Sequence, residues 1–214
     1  MKSAIITGAS VGIGRATAQA FLDDGFKVIN LSRRACPLVG VDNHACDLGS
    51  EQAIEQACQT LADAISGSSS VALVHNASTM LKDSATHCDS DSLRQVLETN
   101  VVAINSINQR LLGLMPASSS LIYVGSTLSE KAVANSFSYV LSKHAQLGMM
   151  RASCQDLMGS GIHTALVCPG FTDTEMLRTH LGGDSELTGM IAGMNSFNRL
   201  IDPAEIAELI RWAH

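Results

Sequence analysis

Ala4-Ile5-Ile6-Thr7-Gly8-Ala9-Ser10-Val11-Gly12-Ile13-Gly14 is the stretch that decides the fold. Its first four residues form a compact apolar run of strand length. Across 13–24 the apolar positions Ala16, Ala20 and Phe21 then recur at helical spacing. A strand that passes through glycines straight into a helix is the opening of a βαβ unit. Gly8 permits the tight turn, Gly12 lets backbone approach a pyrophosphate, and Gly14 lets helix and strand pack closely. The helix N-terminus adds free N–H groups and the positive end of a dipole. The spacing is G-x-x-x-G-x-G rather than G-x-G-x-x-G, and ordinary turns also collect glycine. The place of the loop, between first strand and first helix, is what favours a nucleotide.

Outward from this loop the same alternation continues. Short apolar runs at 27–31, 41–46, 71–75, 121–124 and 162–167 read as strands, the second of these weaker than the rest. Helical periods cover 51–66, 91–114 and 138–158, and a last helix over 203–213 has Asp202 as N-cap and Pro203 at its first position. Strands rich in Val, Ile and Ala, without polar alternation, fit a parallel sheet covered on both faces. No repeat or linker interrupts the 214 residues, so the expectation is one doubly wound α/β domain spanning 1–214.

The bulk properties exclude several classes. A net charge of -6 without clustered Lys and Arg argues against a nucleic-acid partner. The six cysteines show no C-x-x-C pair and no zinc or disulfide spacing, which fits free thiols in a reducing compartment and no metal. No stretch approaches the ~20 apolar residues that span a bilayer, and the apolar start is too short for a signal peptide. A cytoplasmic protein with no membrane partner is expected.

Chemistry concentrates where the strands end. After the second strand stand Ser32 and Arg33, where sheets that bind NAD place an acid for the ribose 2′-hydroxyl. A guanidinium suits a 2′-phosphate by charge and by fork geometry, so NADP(H) is favoured over NAD(H). Tyr139 and Lys143 lie one turn apart on a helix. A free phenol, with a pKa near ~10, is too weak an acid for neutral pH, and a neighbouring ammonium would lower it. Ser126 ends the fifth strand, where a hydroxyl can donate to a developing oxyanion. Asn100 is an amide inside an otherwise apolar helix, with its facing undetermined. Each of these alone has a bland alternative: a surface Tyr–Lys pair, a turn serine, an exposed amide.

Together they resemble the short-chain dehydrogenase/reductase family, from Lys2 to about Glu208. The glycine loop matches, as does Asp47-Leu48 after the third strand. His75-Asn76-Ala77-Ser78 resembles the family's N-N-A-G. Asn100, Ser126, Tyr139 and Lys143 match its catalytic tetrad in order and spacing, and Pro169-Gly170 with Thr172 and Thr174 resembles the segment holding the nicotinamide carboxamide. The resemblance implies a Rossmann-like fold and hydride transfer between nicotinamide and a small carbonyl or secondary alcohol. Tyr139 would transfer the proton, Lys143 would lower its pKa and bind the ribose, Ser126 would polarise the carbonyl, and Asn100 would hold a relay water. Implied cofactor contacts are Gly8, Ser10, Gly12, Ile13, Gly14, Arg33, Asp47, Leu48, Asn76, Ala77, Tyr139, Lys143, Pro169, Gly170, Thr172 and Thr174.

The chain departs from the family in His75 and Ser78, and in stopping at His214, where a seventh strand is expected and is apparently absent. Residues 171–200, rich in Met and Gly, correspond to the variable substrate lid, with packing on the core as the alternative. The helices over 91–114 and 138–158 imply a homodimer or homotetramer. Two rival functions are a catalytically silent NADP(H)-binding regulator, whose mark would be a broken Ser, Tyr or Lys, and a nucleotide-sugar epimerase, which needs a longer C-terminal region.

Overall fold

A computed structural model describes residues 1–214. Six strands, β1 (Lys2–Thr7), β2 (Lys27–Ser32), β3 (Val41–Ala45), β4 (Ser70–His75), β5 (Ser119–Val124) and β6 (Ile162–Val167), form one parallel sheet in the order β3-β2-β1-β4-β5-β6. The order reverses between β1 and β4, so a crevice opens beyond the carboxyl ends of these two strands. Strand β3 is polar and largely exposed because it forms one edge, which is why its apolar signal is faint. Strand β6 forms the other edge and is only half-buried.

Helices cover both faces, as the buried character of β1, β4 and β5 requires. On one face α1 (Gly12–Asp23) and the last helix, α8 (Pro203–Trp212), pack over Ala4, Ile6, Val28, Ala72 and Val74. On the other, α2 (Glu51–Ile65) and α4 (Ala103–Leu111), together with the half-buried Met149 and Met150 of α5 (Phe137–Asp156) and Leu157 just after it, close over Ile5, Ile29, Leu31, Leu73 and Leu121. Each such side chain withdrawn from water contributes roughly 1.5–3 kcal/mol of transfer free energy. Caps set the helix starts: the Ser50 hydroxyl accepts from Ala53 N, and Asp202 forms a reciprocal capping box with Glu205 ahead of Pro203.

The helix predicted over 91–114 is not continuous. It comprises α3 (Ser90–Leu97), a π-helical turn (Glu98–Val102), α4 and a 3₁₀ turn (Leu112–Leu114), and the Ala103 N–H reaches back to the Glu98 carbonyl. The π turn lies where Asn100 is drawn into the interior by polar partners, and turns of this kind recur at functional sites. Two short helices, α6 (Glu175–His180) and α7 (Ser185–Ala192), lie between β6 and α8. No helix is long and apolar enough to cross a membrane.

Candidate active site

The glycine loop is held from two directions. The Gly8 N–H donates to the Leu31 carbonyl at 3.0 Å, and the Ala9 N–H donates to the buried Asn30 side chain at 3.0 Å, which ties the loop to β2. From β4, the Asn76 amide donates to the Thr7 and Gly8 carbonyls at 3.0 and 3.1 Å, while Thr7 Oγ1 accepts the N–H groups of Asn76 and Ala77. Gly8 has φ +71, which a side chain would strain, and a Cβ on Gly14 would run into the Gly8 carbonyl and the Asn76 amide. Ser10 is buried and Ile13 packs at the edge of the α1-side core. No side chain caps α1 at Val11, and no acid occupies its first turn, so its leading N–H groups face the crevice free for an anion.

Around this loop lie the other predicted contacts. Arg33 is exposed just beyond β2, while its neighbour Arg34 pairs with Glu175 at 3.3 Å. That ion pair joins the end of β2 to the start of α6. Thr174 caps α6 by accepting from Leu177 N, and its methyl group comes within 3.2 Å of where a Cβ on Gly12 would stand. Thr174 is thereby set against the glycine loop, while the Pro169 carbonyl accepts from Thr127 N at 2.9 Å beside the end of β5. Thr172 is buried, its hydroxyl donating to the Gly170 carbonyl at 3.1 Å. Asp47 is exposed and accepts from Gly49 N at 3.0 Å, whereas the Leu48 side chain is committed to the core.

The four candidate reacting groups converge at the end of β5. Lys143 and Tyr139 are both buried on α5, with the ammonium 5.4 Å from the centre of the phenol ring. Ser126, one residue past Gly125 at the strand's end, accepts from Leu128 N at 3.1 Å and lowers the phenol's pKa against the effect of burial. Asn100 is completely buried: its amide oxygen accepts from Thr79 N at 2.7 Å, and its NH₂ donates to the Thr79 carbonyl and to Ser142 Oγ, both at 2.9 Å. Ser142 Oγ in turn donates to the Tyr139 carbonyl at 2.8 Å. The structure therefore places Asn100 inward, bracing α5 against the segment after β4.

The sequence matches the family described as short chain dehydrogenase over residues 2–182. The chain belongs to the short-chain dehydrogenase family. Among curated relatives, this dehydrogenase is 26% identical to the 3-oxoacyl-[acyl-carrier-protein] reductase FabG of Vibrio cholerae, covering 98% of this chain and 88% of the relative. It is 29% identical to Protein FixR of Bradyrhizobium diazoefficiens, covering 98% of this chain and 78% of that one. Among solved structures, a short chain dehydrogenase family protein from Francisella tularensis superposes with a TM-score of 0.88 at 28% identity, over 100% of this chain and 90% of the other. The fold is also that of a variant actinorhodin polyketide ketoreductase with NADPH, at a TM-score of 0.87 and 24% identity over 99% of this chain and 89% of the other.

The electrostatics of this dehydrogenase are those of two groups drawn out of water. Burial pushes the Tyr139 phenol up to about 12, against the opposing hydrogen bond from Ser126. Burial likewise pushes the Lys143 ammonium down to about 7, with Cys168 acting in the other direction. Lys143 donates to the Val124 carbonyl at 2.8 Å and to Gln146 Oε1 at 3.1 Å, both of them neutral acceptors.

Several positioning groups escape a reading of the sequence. Asn30 sits mid-strand where an apolar residue is expected, and a polar residue in a buried strand was the available signal. Gln146 and Ser142 give no signal, because polar residues on a long helix ordinarily face water.

Proposed function

We propose that this chain is an NADP(H)-dependent oxidoreductase that interconverts a small carbonyl compound and its secondary alcohol, with Asn100, Ser126, Tyr139 and Lys143 as its reacting and bracing groups. The observation that carries this reading is the convergence of a buried Tyr139 and Lys143 with the half-buried Ser126 at the end of β5. The residues present fit the dinucleotide. The glycine loop leaves a cradle that a Cβ would fill, the α1 N-terminus is uncapped, and Ser78 Oγ is buried without a partner on the same side of the crevice mouth. Gly8, Ser10, Gly12, Ile13 and Gly14 would hold the pyrophosphate, with Asn76 and Ala77 fixing the loop. Arg33, exposed and without an ion pair, would meet the 2′-phosphate. Asp47 and the backbone of Leu48 would border the adenine, and Pro169, Gly170, Thr172 and Thr174 the nicotinamide.

When bound, NADPH supplies the hydride that adds to the carbonyl carbon. Tyr139 Oη donates its proton to the carbonyl oxygen as negative charge develops there. The Ser126 hydroxyl donates a second hydrogen bond to the same oxygen, and Lys143 favours the phenolate that remains. Asn100 keeps α5 in register with the segment after β4. In the alcohol direction each transfer runs in reverse.

The lid assignment of 171–200 is supported by exposure of Phe171, Met176, Leu187, Met190, Met194 and Phe197, none of which joins either core. An adaptable apolar surface suits an acyl or alkyl carbonyl, and the Vibrio cholerae relative's name makes a 3-oxoacyl thioester the first substrate to try. Exposed Phe137 and Leu141 on α5 and Val102 beside α4 support self-association into a homodimer or homotetramer. Six free cysteines suit the cytoplasm. No observation favours a silent regulator. The test is nicotinamide fluorescence during titration with NADPH and NADH, for wild type and Arg33→Ala, followed by a carbonyl panel. Preference for NADPH that is lost with Arg33 supports the reading; binding of neither nucleotide overturns it.

A further inference from the structure

Gln146 lies on α5 one turn beyond Lys143 and is 1% exposed. A buried primary amide must satisfy both ends. Its Nε2 donates to the Asn100 carbonyl at 2.8 Å, and its Oε1 accepts from Lys143 Nζ at 3.1 Å. The first contact fixes the second. With the NH₂ committed to a carbonyl, the amide cannot turn over without setting oxygen against oxygen and NH₂ against an ammonium. The carbonyl that holds it belongs to the π turn, so the irregular segment between α3 and α4 reaches Lys143 through this one side chain.

Lys143 has the Val124 carbonyl and Gln146 Oε1 as its protein acceptors. The charged surroundings are sparse. From the end of β6, Cys168 is the ionisable side chain whose charge acts on the ammonium, and no carboxylate contributes. On α5 itself Tyr139 stands one turn before it. The end of β5 and the π turn present only neutral groups, namely Val124, Ser126 and Asn100. A neutral acceptor at hydrogen-bond distance is therefore a large part of what keeps a proton on this buried amine.

We propose that Gln146 is a positioning residue that holds Lys143 as an ammonium aimed beside Tyr139, anchored in turn by the Asn100 carbonyl. The inference rests on Lys143 having the role given above, but its test does not need turnover. Burial already brings Lys143 to about 7, so a small further loss of support discharges it near neutral pH.

The experiment is NMR of protein labelled with ¹³Cε-lysine, titrated from pH 5 to 11 without ligand. The lysines are Lys2, Lys27, Lys82, Lys131 and Lys143, and Lys143→Met identifies the one that titrates near neutrality. In Gln146→Met, and in Gln146→Leu as a second apolar replacement, the Lys143 midpoint is expected to fall by about one pH unit while the other lysines stay in place. An unchanged Lys143 midpoint in the folded variants overturns the proposal. So does a wild-type titration in which every lysine changes together above pH 10. Absence of NADPH binding by wild type would overturn the proposed function instead, leaving the lysine midpoint to decide this inference separately.

Discussion

Tyr139 keeps its proton at neutral pH in the ligand-free chain, because burial disfavours the phenolate. Tyr139→Phe removes the transferable proton and little else, since the ring stays beside Lys143. Carbonyl reduction should fall by about 10²–10⁴-fold with NADPH affinity kept, as steady-state rates and a fluorescence titration would read. A comparable loss of affinity would mean that the hydroxyl matters for binding. His75 offers a second residue-scale outcome. Its Nε2 donates to Asn108 Oδ1 at 2.7 Å, the Asn108 NH₂ donates to the Tyr123 hydroxyl at 3.0 Å, and Nδ1 is buried without a partner. Burial pushes the imidazole from 6.5 down to about 4. Across that window the unfolded chain carries a proton that the folded chain excludes, so stability is present above pH 6.5 and is lost as pH falls toward 4. The loss is on the order of 3 kcal/mol, and His75→Gln, which keeps a donor but cannot titrate, should flatten this part of the curve in urea unfolding at pH 4.5 and 7. Equal acid sensitivity in both proteins would assign the effect to other groups.

At the level of elements, the first strand, glycine loop and first helix act as one unit. Gly14→Ala sets a methyl group against the Gly8 carbonyl and the Asn76 amide, so the loop must shift. NADPH binding should weaken by at least about tenfold, equivalent to ~1.4 kcal/mol, and thermal stability should drop with it. Unchanged affinity would show that the loop is not the phosphate cradle. Much of this was legible beforehand, for physical reasons that differ by residue. Alternation of apolar runs reports burial directly, so all six strands, the polar edge strand β3 most weakly, and the α1, α2, α5 and α8 helices could be placed from it. Tyr139 and Lys143 could be paired because a helical turn fixes their spacing. The break at Glu98–Val102 was hidden: a π turn preserves composition and nearly preserves period, and Asn100 looks the same whether it faces water or core. The acidity of Tyr139 was also out of reach, because desolvation depends on what the fold lays over the ring. Gln146 needed both facts at once.

Taken as a whole molecule, the chain leaves apolar side chains of α5 in water, among them Phe137 and Leu141. If these faces join copies, light scattering at micromolar concentration gives a multiple of the 22.5 kDa chain, and Phe137→Glu with Leu141→Glu reduces it to one. A wild-type monomer at that concentration overturns the oligomer. The sheet's two layers of helices also impose a condition on the π turn that its local contacts do not reveal. Val96 of α3 and Ala103, Ile104, Ile107 and Leu111 of α4 all have to face inward. One residue advances a helix by about 100°, so the extra residue accommodated at Glu98–Val102 sets the angular phase between the two halves. Making the same residues a regular helix, with none removed, would change that phase by about the rotation of one residue. What this stretch encodes is a residue count, kept by the hydrophobic packing on one side and by Asn100 on the other.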